Sequence, residues 1–197
     1  NDYQGTRYIY FGEQPLVACN RLPVVGKHNE LNCMAALALG YAVGWPLTAM
    51  VYALGSFEGL EHRCKQVNSG DDIVWVNDSK ATNIGATVAA IEGLANSHHK
   101  LILIAGGDGK GADFSELQSA MTQVDHLVTL GKDGDQIAAL KANSIKVNNL
   151  NEAVTTCRQL ADKGDIVLLS PACASIDMFE NYMQRGDQFI QAIREGY

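Results

Sequence analysis

The chain has 197 residues, 47 % apolar and 19 % charged, and a formal net charge of −7 from 15 Lys and Arg against 22 Asp and Glu. That length allows one domain or two small ones, with enough chain to bury a core without metal or disulfide staples. The composition excludes a wholly disordered or fibrous chain. An acidic balance without a basic stripe argues against nucleic acid as a partner, while leaving local cationic pockets open.

The first element is a strand-like run from Tyr8 to Phe11, followed by loop to residue 25. Residues 33–57 carry no charged side chain, but Gly40, Gly44 and Pro46 interrupt the run. It therefore reads as two short buried helices, from Asn29 to Ala42 and from Leu47 to Leu54, and not as a membrane span. No signal-peptide pattern is visible after Asn1. Residues 1–57 are too few and too unbalanced for a convincing domain, so they read as part of a larger one.

After Gly55 the texture changes. His62 to Val67 and Ile73 to Val76 predict a hairpin around Ser69-Gly70-Asp71-Asp72. A regular alternation follows: helix 84–95, strand 101–105, helix 114–122, strand 126–130, helix 133–142, a short strand near 145–147, helix 151–162, strand 166–170, and a last helix ending near Arg194. The strands are continuous apolar runs, as expected where helices cover both faces of a parallel sheet. The fold class is α/β: an open, doubly wound, mostly parallel sheet, preceded by a partial, mainly helical piece. The boundary falls near residues 57–60, dividing the chain into 1–58 and 59–197.

Ligands of such sheets bind outside the carboxyl ends of the strands, and three strand ends carry unusual loops. In Asn77-Asp78-Ser79-Lys80-Ala81-Thr82-Asn83, Thr82 or Asn83 is either a plain helix cap or part of an anion site that Lys80 would strengthen. Gly106 to Gly111 holds four glycines in six residues, more than a simple turn needs, and Lys110 there can reach a carboxylate or phosphate. The stretch is neither GxxxxGK[ST] nor GxGxxG, which disfavours a nicotinamide oxidoreductase. In the third loop, Ser170 to Ser175, Ser175 lacks a GxSxG elbow and reads as a donor or cap rather than a nucleophile. Cys173 lacks an identifiable base. The five dispersed Cys (Cys19, Cys33, Cys64, Cys157 and Cys173) form no CxxC and no zinc spacing, and read as free packing thiols in a reducing cytosol. Asn29 and Asn32 share a helix face, either as a cap and a polar neighbour or as amides for an adenine edge. Arg63, next to His62, could clamp a phosphate. From the residues alone this is a domain for small anionic ligands, without an assigned reaction.

The ordered set Gly26-Lys27-His28-Asn29-Glu30-Leu31-Asn32, His62-Arg63, Asn77 to Asn83, Gly106 to Lys110 and Leu169 to Ser175 resembles the Mur ligases. With Phe179, Asn181, Arg185-Gly186 and Phe189 it is similar to their D-glutamate-adding branch. The resemblance covers nearly the whole chain from Val25. It implies a Rossmann-like carboxy-terminal domain preceded by the tail of a central ATPase domain, acting in the cytoplasm as a monomer in peptidoglycan synthesis. The implied reaction is ATP-dependent amide formation through an acyl phosphate, with ATP, D-glutamate and UDP-N-acetylmuramoyl-L-alanine as substrates and magnesium as the ion. The family's phosphate loop, magnesium ligands and carbamylated lysine would lie upstream of Asn1, so the chain alone is expected to be inactive. By motif, Asn29, Asn32, Arg63 and Asp78 resemble the nucleotide contacts, with Asp78 on the ribose. Thr82, Lys110, Ser175, Tyr182 and Lys80 resemble the D-glutamate pocket; Tyr182 stands where the family often has Phe. The resemblance also implies domain motion about Leu60 to Arg63. The alternative is a non-catalytic α/β domain that binds a small anion.

Overall fold

The computed structural model describes residues 2–3, 6–22, 27–57, 59–95 and 99–196. Gly26 of the first motif, and Val25 where the resemblance begins, lie outside them. The chain forms two compact units, Asn1–Leu60 and Glu61–Tyr197.

In the first unit, β1 (Asp2–Tyr3), β2 (Thr6–Phe11) and β3 (Gln14–Ala18) form an antiparallel sheet in that order. The expected loop over residues 12–25 thus contains a strand. Its polar start, Gln14-Pro15, hid it; Pro is tolerated on an edge strand, where no ladder donor is needed. The β2–β3 register shifts between Ile9 and Tyr10, the latter opposite Pro15. Helix α1 (Lys27–Ala42) and α2 (Leu47–Gly55) follow, with Pro46 as the residue before α2. Asn29 is therefore inside the first turn of α1 and not its cap. Cys33 and Leu37, one turn apart, pack with Ile9 and Leu22, and Met50, Val51 and Leu54 lie against them. Arg7 Nη2 donates to Glu30 Oε1 at 2.7 Å, joining β2 to α1. No helix among the described residues is long and apolar enough to cross a membrane.

The second unit is built on a six-stranded sheet in the order β4-β5-β9-β6-β7-β8. Its strands are β4 (Lys65–Val67), β5 (Val74–Asn77), β6 (Leu101–Gly106), β7 (His126–Leu130), β8 (Ile145–Lys146) and β9 (Ile166–Leu169). Only β4 pairs antiparallel; all other pairs are parallel. Chain order runs outward from β6 to β8, then returns to insert β9 at the centre. Alternate residues feed two cores. Leu101, Leu103 and Ala105 face α3 (Ile84–Leu94) with Phe114, Leu117, Met121 and Ile137. Ile102 and Ile104 face the other layer, with Leu150, Val154 and Cys157 of α5 (Leu150–Leu160) and Phe189 and Ile193 of α6 (Tyr182–Glu195). This is the expected doubly wound arrangement.

Three elements differ from expectation. The hairpin strand starts at Lys65 rather than His62, because His62 and Cys64 have φ of 62° and 44° and cannot join a ladder. Residues 114–122 form two 3-10 turns, Phe114–Leu117 and Ala120–Gln123. Side chains there compete for backbone groups: Asp113 Oδ1 accepts from Ser115 N, and Thr122 Oγ1 donates to the Ser119 carbonyl. The expected helix 133–142 shortens to α4 (Gly134–Ala138), since Ser144 Oγ and Lys141 N both take the Ala138 carbonyl. At the opposite end of the sheet from the loops below, Trp75 Nε1 and Arg158 Nε donate to Asp71 at 3.0 and 3.2 Å. Arg158 Nη2 reaches the Ile193 carbonyl at 2.8 Å, so the hairpin turn, α5 and α6 are tied together.

Thr129 Oγ1 on β7 is buried without a hydrogen-bond partner among the described residues. Burying an unmade hydroxyl bond is unfavourable, so Thr129→Val, which keeps the shape, should raise stability by about 1 kcal/mol. Thermal unfolding measures this; a clear loss of stability would show that the hydroxyl is bonded in solution.

Candidate functional site at the carboxyl edge of the sheet

Parallel pairing forces β5, β9, β6 and β7 to end on one edge: Asn77 lies opposite Leu169, and Gly106 opposite Leu130. The loops leaving them are joined by hydrogen bonds. Gly106 N donates to the Pro171 carbonyl at 2.9 Å. Asp108 and Ala174 exchange backbone bonds of 3.0 and 2.9 Å. Gly107 has φ of 128°, and a Cβ there would stand 2.3 Å from the Ala174 carbonyl oxygen, so only glycine lets these backbones meet. Thus two of the three loops singled out in the sequence are locked together, and the first is tied to the third through Asp78.

Asp78 is 7 % exposed. Its Oδ2 accepts from Ser170 Oγ at 2.8 Å and its Oδ1 from Cys64 N at 3.1 Å. Thr87 Oγ1, on α3, donates to the Ser170 carbonyl at 3.2 Å. Burial, outweighing the donors Ser170 and Cys64 and the nearby Arg63 charge, lifts Asp78 from the usual 3.8 to about 6. Lys80 N donates to the His62 carbonyl at 2.9 Å, and Lys80 Nζ sits 4.5 Å from the Tyr182 ring centroid, in cation–π geometry. His62 meets the same ring edge-on, 6.0 Å between centroids.

Capping falls to Asn83, whose Oδ1 accepts from Ala86 N at 3.0 Å; Thr82 is not the cap of α3. Asn181 caps α6, accepting from Met183 N and Gln184 N. Ser175 is therefore not a cap; it is buried, and its carbonyl accepts from Met178 N and Phe179 N at 3.1 and 2.8 Å. Lys110 is exposed at the tip of its loop with φ of 54°, and its N–H donates to Asp108 Oδ1 at 2.9 Å. That bond, with Lys132 Nζ 3.3 Å from Asp108 Oδ2, holds the Asp108 carboxyl below the usual range. Arg63 is exposed. Cys173 is fully buried, and burial raises its thiol to about 12, which removes it as a nucleophile at neutral pH.

The second unit thus brings Lys80, Thr82, Lys110, Ser175, Tyr182 and Asp78 to the loops of one sheet edge. Asn29 and Asn32 belong to the first unit, where Asn32 Nδ2 donates to Asn29 Oδ1 at 3.3 Å. Sequence reasoning missed the residues that hold these loops: Ser79, Ser170, Arg185 and Lys132. A Ser at a strand end gave no periodic signal, and the Arg185-Gly186 pair stood out only as part of a motif. Among the described residues no group of three or more His, Cys, Asp or Glu could hold a metal ion.

The fold and its loop edge define a doubly wound α/β domain whose donors and lysines suit an anionic ligand. Residues 62–173 match the Mur ligase, glutamate ligase domain, and the chain belongs to that family. It is 59 % identical over 190 residues to the UDP-N-acetylmuramoylalanine–D-glutamate ligase of Colwellia psychrerythraea, covering 94 % of this chain and 40 % of that protein. With the ligase of the same name from Shewanella oneidensis it shares 51 % over 187 residues, covering 95 % and 43 %. The chain spans less than half the length of these curated relatives. Among solved structures, a MurF ligase of Thermotoga maritima in complex with ADP superposes with a TM-score of 0.67 at 16 % identity, covering 88 % of this chain and 40 % of that one. The folylpolyglutamate synthase/dihydrofolate synthase of Yersinia pestis gives 0.65 at 19 % identity, covering 92 % and 42 %. Both share the fold.

The raised Asp78 value carries a sign. The folded protein holds a proton on this carboxyl between about pH 4 and 6 that the unfolded chain has released. Asp78 therefore favours the fold increasingly as pH falls through about 6, and opposes it at neutral pH. Wild type should gain thermal stability relative to Asp78→Asn between pH 7.5 and 4.5; a gap independent of pH would contradict the assignment.

Proposed function

We propose that the chain is the amino-acid-binding portion of an ATP-dependent ligase that joins D-glutamate to UDP-N-acetylmuramoyl-L-alanine in peptidoglycan synthesis. The observation that carries this reading is the meeting of the Asp78–Asn83, Gly107–Lys110 and Ser170–Ser175 loops at one strand edge, each bearing donors or a cation. The high identity to ligases of that name supports the choice of substrate.

D-Glutamate carries two carboxylates, and the complement is cationic and donor-rich. Lys110 and Lys80 supply positive charge, Thr82 and Ser175 supply hydroxyl donors, and the Tyr182 ring walls the pocket while holding Lys80 in place. Positioned this way, the amine of D-glutamate is free to attack an activated acyl group, and holding it in line supplies much of the rate. Asp78, fixed by Ser170 and Cys64, offers its remaining lone pairs to a ribose hydroxyl. Arg63, exposed at the start of the domain, reaches a phosphate, and Asn29 and Asn32 contribute to nucleotide binding from the first unit. ATP is the phosphoryl donor. The magnesium ion such a reaction uses finds no ligand cluster among the described residues, and no step is assigned to it. The domain is cytoplasmic and monomeric in this reading. The chain by itself is inactive.

The test is ligation by the full-length protein. It should release phosphate only with ATP, UDP-N-acetylmuramoyl-L-alanine and D-glutamate present. Lys110→Ala should raise the D-glutamate KM about 100-fold, since a charge-assisted bond contributes roughly 1.5–3 kcal/mol. Saturable D-glutamate binding without ligation would favour the non-catalytic reading instead. ATP-dependent ligation by the present chain alone would contradict its proposed inactivity.

A further inference from the structure

Arg185, in the first turns of α6, is 2 % exposed, and the residues it binds, Ser79 and Cys173, are fully buried. Its Nε donates to Ser79 Oγ at 3.0 Å and its Nη2 to the Ser79 carbonyl at 2.8 Å. Nη1 and Nη2 both donate to the Cys173 carbonyl at 3.1 Å. Ser79 Oγ in turn donates to the Tyr182 carbonyl at 2.8 Å. Burial lowers Arg185 to about 10, which leaves it charged at neutral pH.

A buried cation satisfied by carbonyl dipoles is weak evidence for stability, because well-packed apolar residues can serve as well. What it supplies is geometry. A guanidinium is a rigid fork, and this one spans two loops that are 94 residues apart in sequence, from Ser79 to Cys173. The residue after Ser79 is Lys80, with Thr82 two further on; Ser175 follows Cys173 by two. The helix that carries the fork is itself seated. Asn77 Nδ2 donates to the Gly186 carbonyl at 3.1 Å, and a Cβ on Gly186 would stand 2.2 Å from His62 Nδ1, so the glycine lets α6 pack directly against the His62 ring.

We propose that Arg185 is a positioning residue that fixes the spacing between the turn bearing Lys80 and Thr82 and the turn bearing Ser175, so that the donors for the two carboxylates of the amino-acid substrate are set before it arrives. This rests on the function proposed above and extends it to a residue that touches no substrate. Lysine is not equivalent, because one nitrogen can meet the two carbonyls that Nη2 meets but cannot also supply the bond to Ser79 Oγ and the second bond to Cys173 that the planar fork makes. The nucleotide side should be spared, since Asp78 is held by Ser170 and Cys64 N and not by Arg185.

Arg185→Lys and Ser79→Ala in the full-length protein test this. Ser79→Ala keeps the carbonyl acceptor and so keeps a folded comparison if the first variant is unstable. Arg185→Lys should raise the D-glutamate KM at least about 10-fold with the ATP KM changed less than about 3-fold, and Ser79→Ala should do the same more weakly. Amide hydrogen exchange should accelerate over 79–82 and 173–176 in both variants and stay unchanged in α3 and α5. A lower melting temperature with unchanged D-glutamate KM and unchanged exchange in the two loops would overturn the proposal. If the wild-type protein ligates no D-glutamate, the function proposed above fails, and the exchange measurement still decides the positioning role on its own.

Discussion

Everything at the loop edge depends on the backbone of one loop touching the backbone of another. Gly107 and Ala174 approach so closely that a single methyl group could not be inserted between them. Because β6 and β9 are neighbours in register, their loops leave the sheet side by side and must either diverge or merge. The absence of side chains at Gly106 and Gly107 lets them merge, and the Asp108–Ala174 bridge continues the sheet pattern beyond its last ladder residues. The result is a short irregular extension of the sheet, paired through the Gly106–Pro171 bond and the Asp108–Ala174 bridge. Rigid strands set the loops, and the loops carry the chemistry.

The electrostatics follow from where the carboxylates turn. The chain is acidic overall, which by itself would repel a dicarboxylate. At this edge the acids are engaged with backbone donors: Asp133 Oδ2 accepts from Gly109 N at 2.7 Å, Asp177 Oδ2 from Lys132 N at 2.9 Å, and Asp108 Oδ1 from Lys110 N. Their negative charge is directed into the loop framework. Lys110, exposed at the tip, is bonded through its N–H to the carboxylate beneath it. One short turn thus stabilises its own left-handed geometry and presents its cation outward. Net charge is a poor guide to such a site because it averages over groups that face opposite ways.

Much of this was legible in the residues. The apolar runs at 101–106, 126–130 and 166–169 read directly as buried parallel strands, because both of their faces are covered and no polar alternation dilutes the signal. The four-glycine loop announced a close approach without saying to what. The failures share a cause. Strand β3, the 3-10 turns after Phe114 and the short α4 are all decided by where individual backbone groups find partners, such as Ser144 Oγ on the Ala138 carbonyl, and side-chain periodicity does not report that. Arg185 escaped for a related reason. On an amphipathic helix, arginine is expected to face solvent, and only the three-dimensional neighbourhood of Ser79 and Cys173 shows that this one faces inward.

The two anchors of the first loop differ in kind, and that difference has consequences. Asp78 is held by Ser170 Oγ and Cys64 N in a buried place that favours the neutral carboxyl, so this anchor gains as the pH falls through about 6. Ser79 is fixed by a cation that keeps its charge well beyond that range. Adjacent residues in one turn are therefore held by interactions of different pH sensitivity. The Ser79 anchor keeps its charge through the neutral range, whereas the Asp78 anchor is favoured increasingly as acid accumulates. A turn so divided can respond to pH at one residue while its neighbour stays fixed by the guanidinium fork.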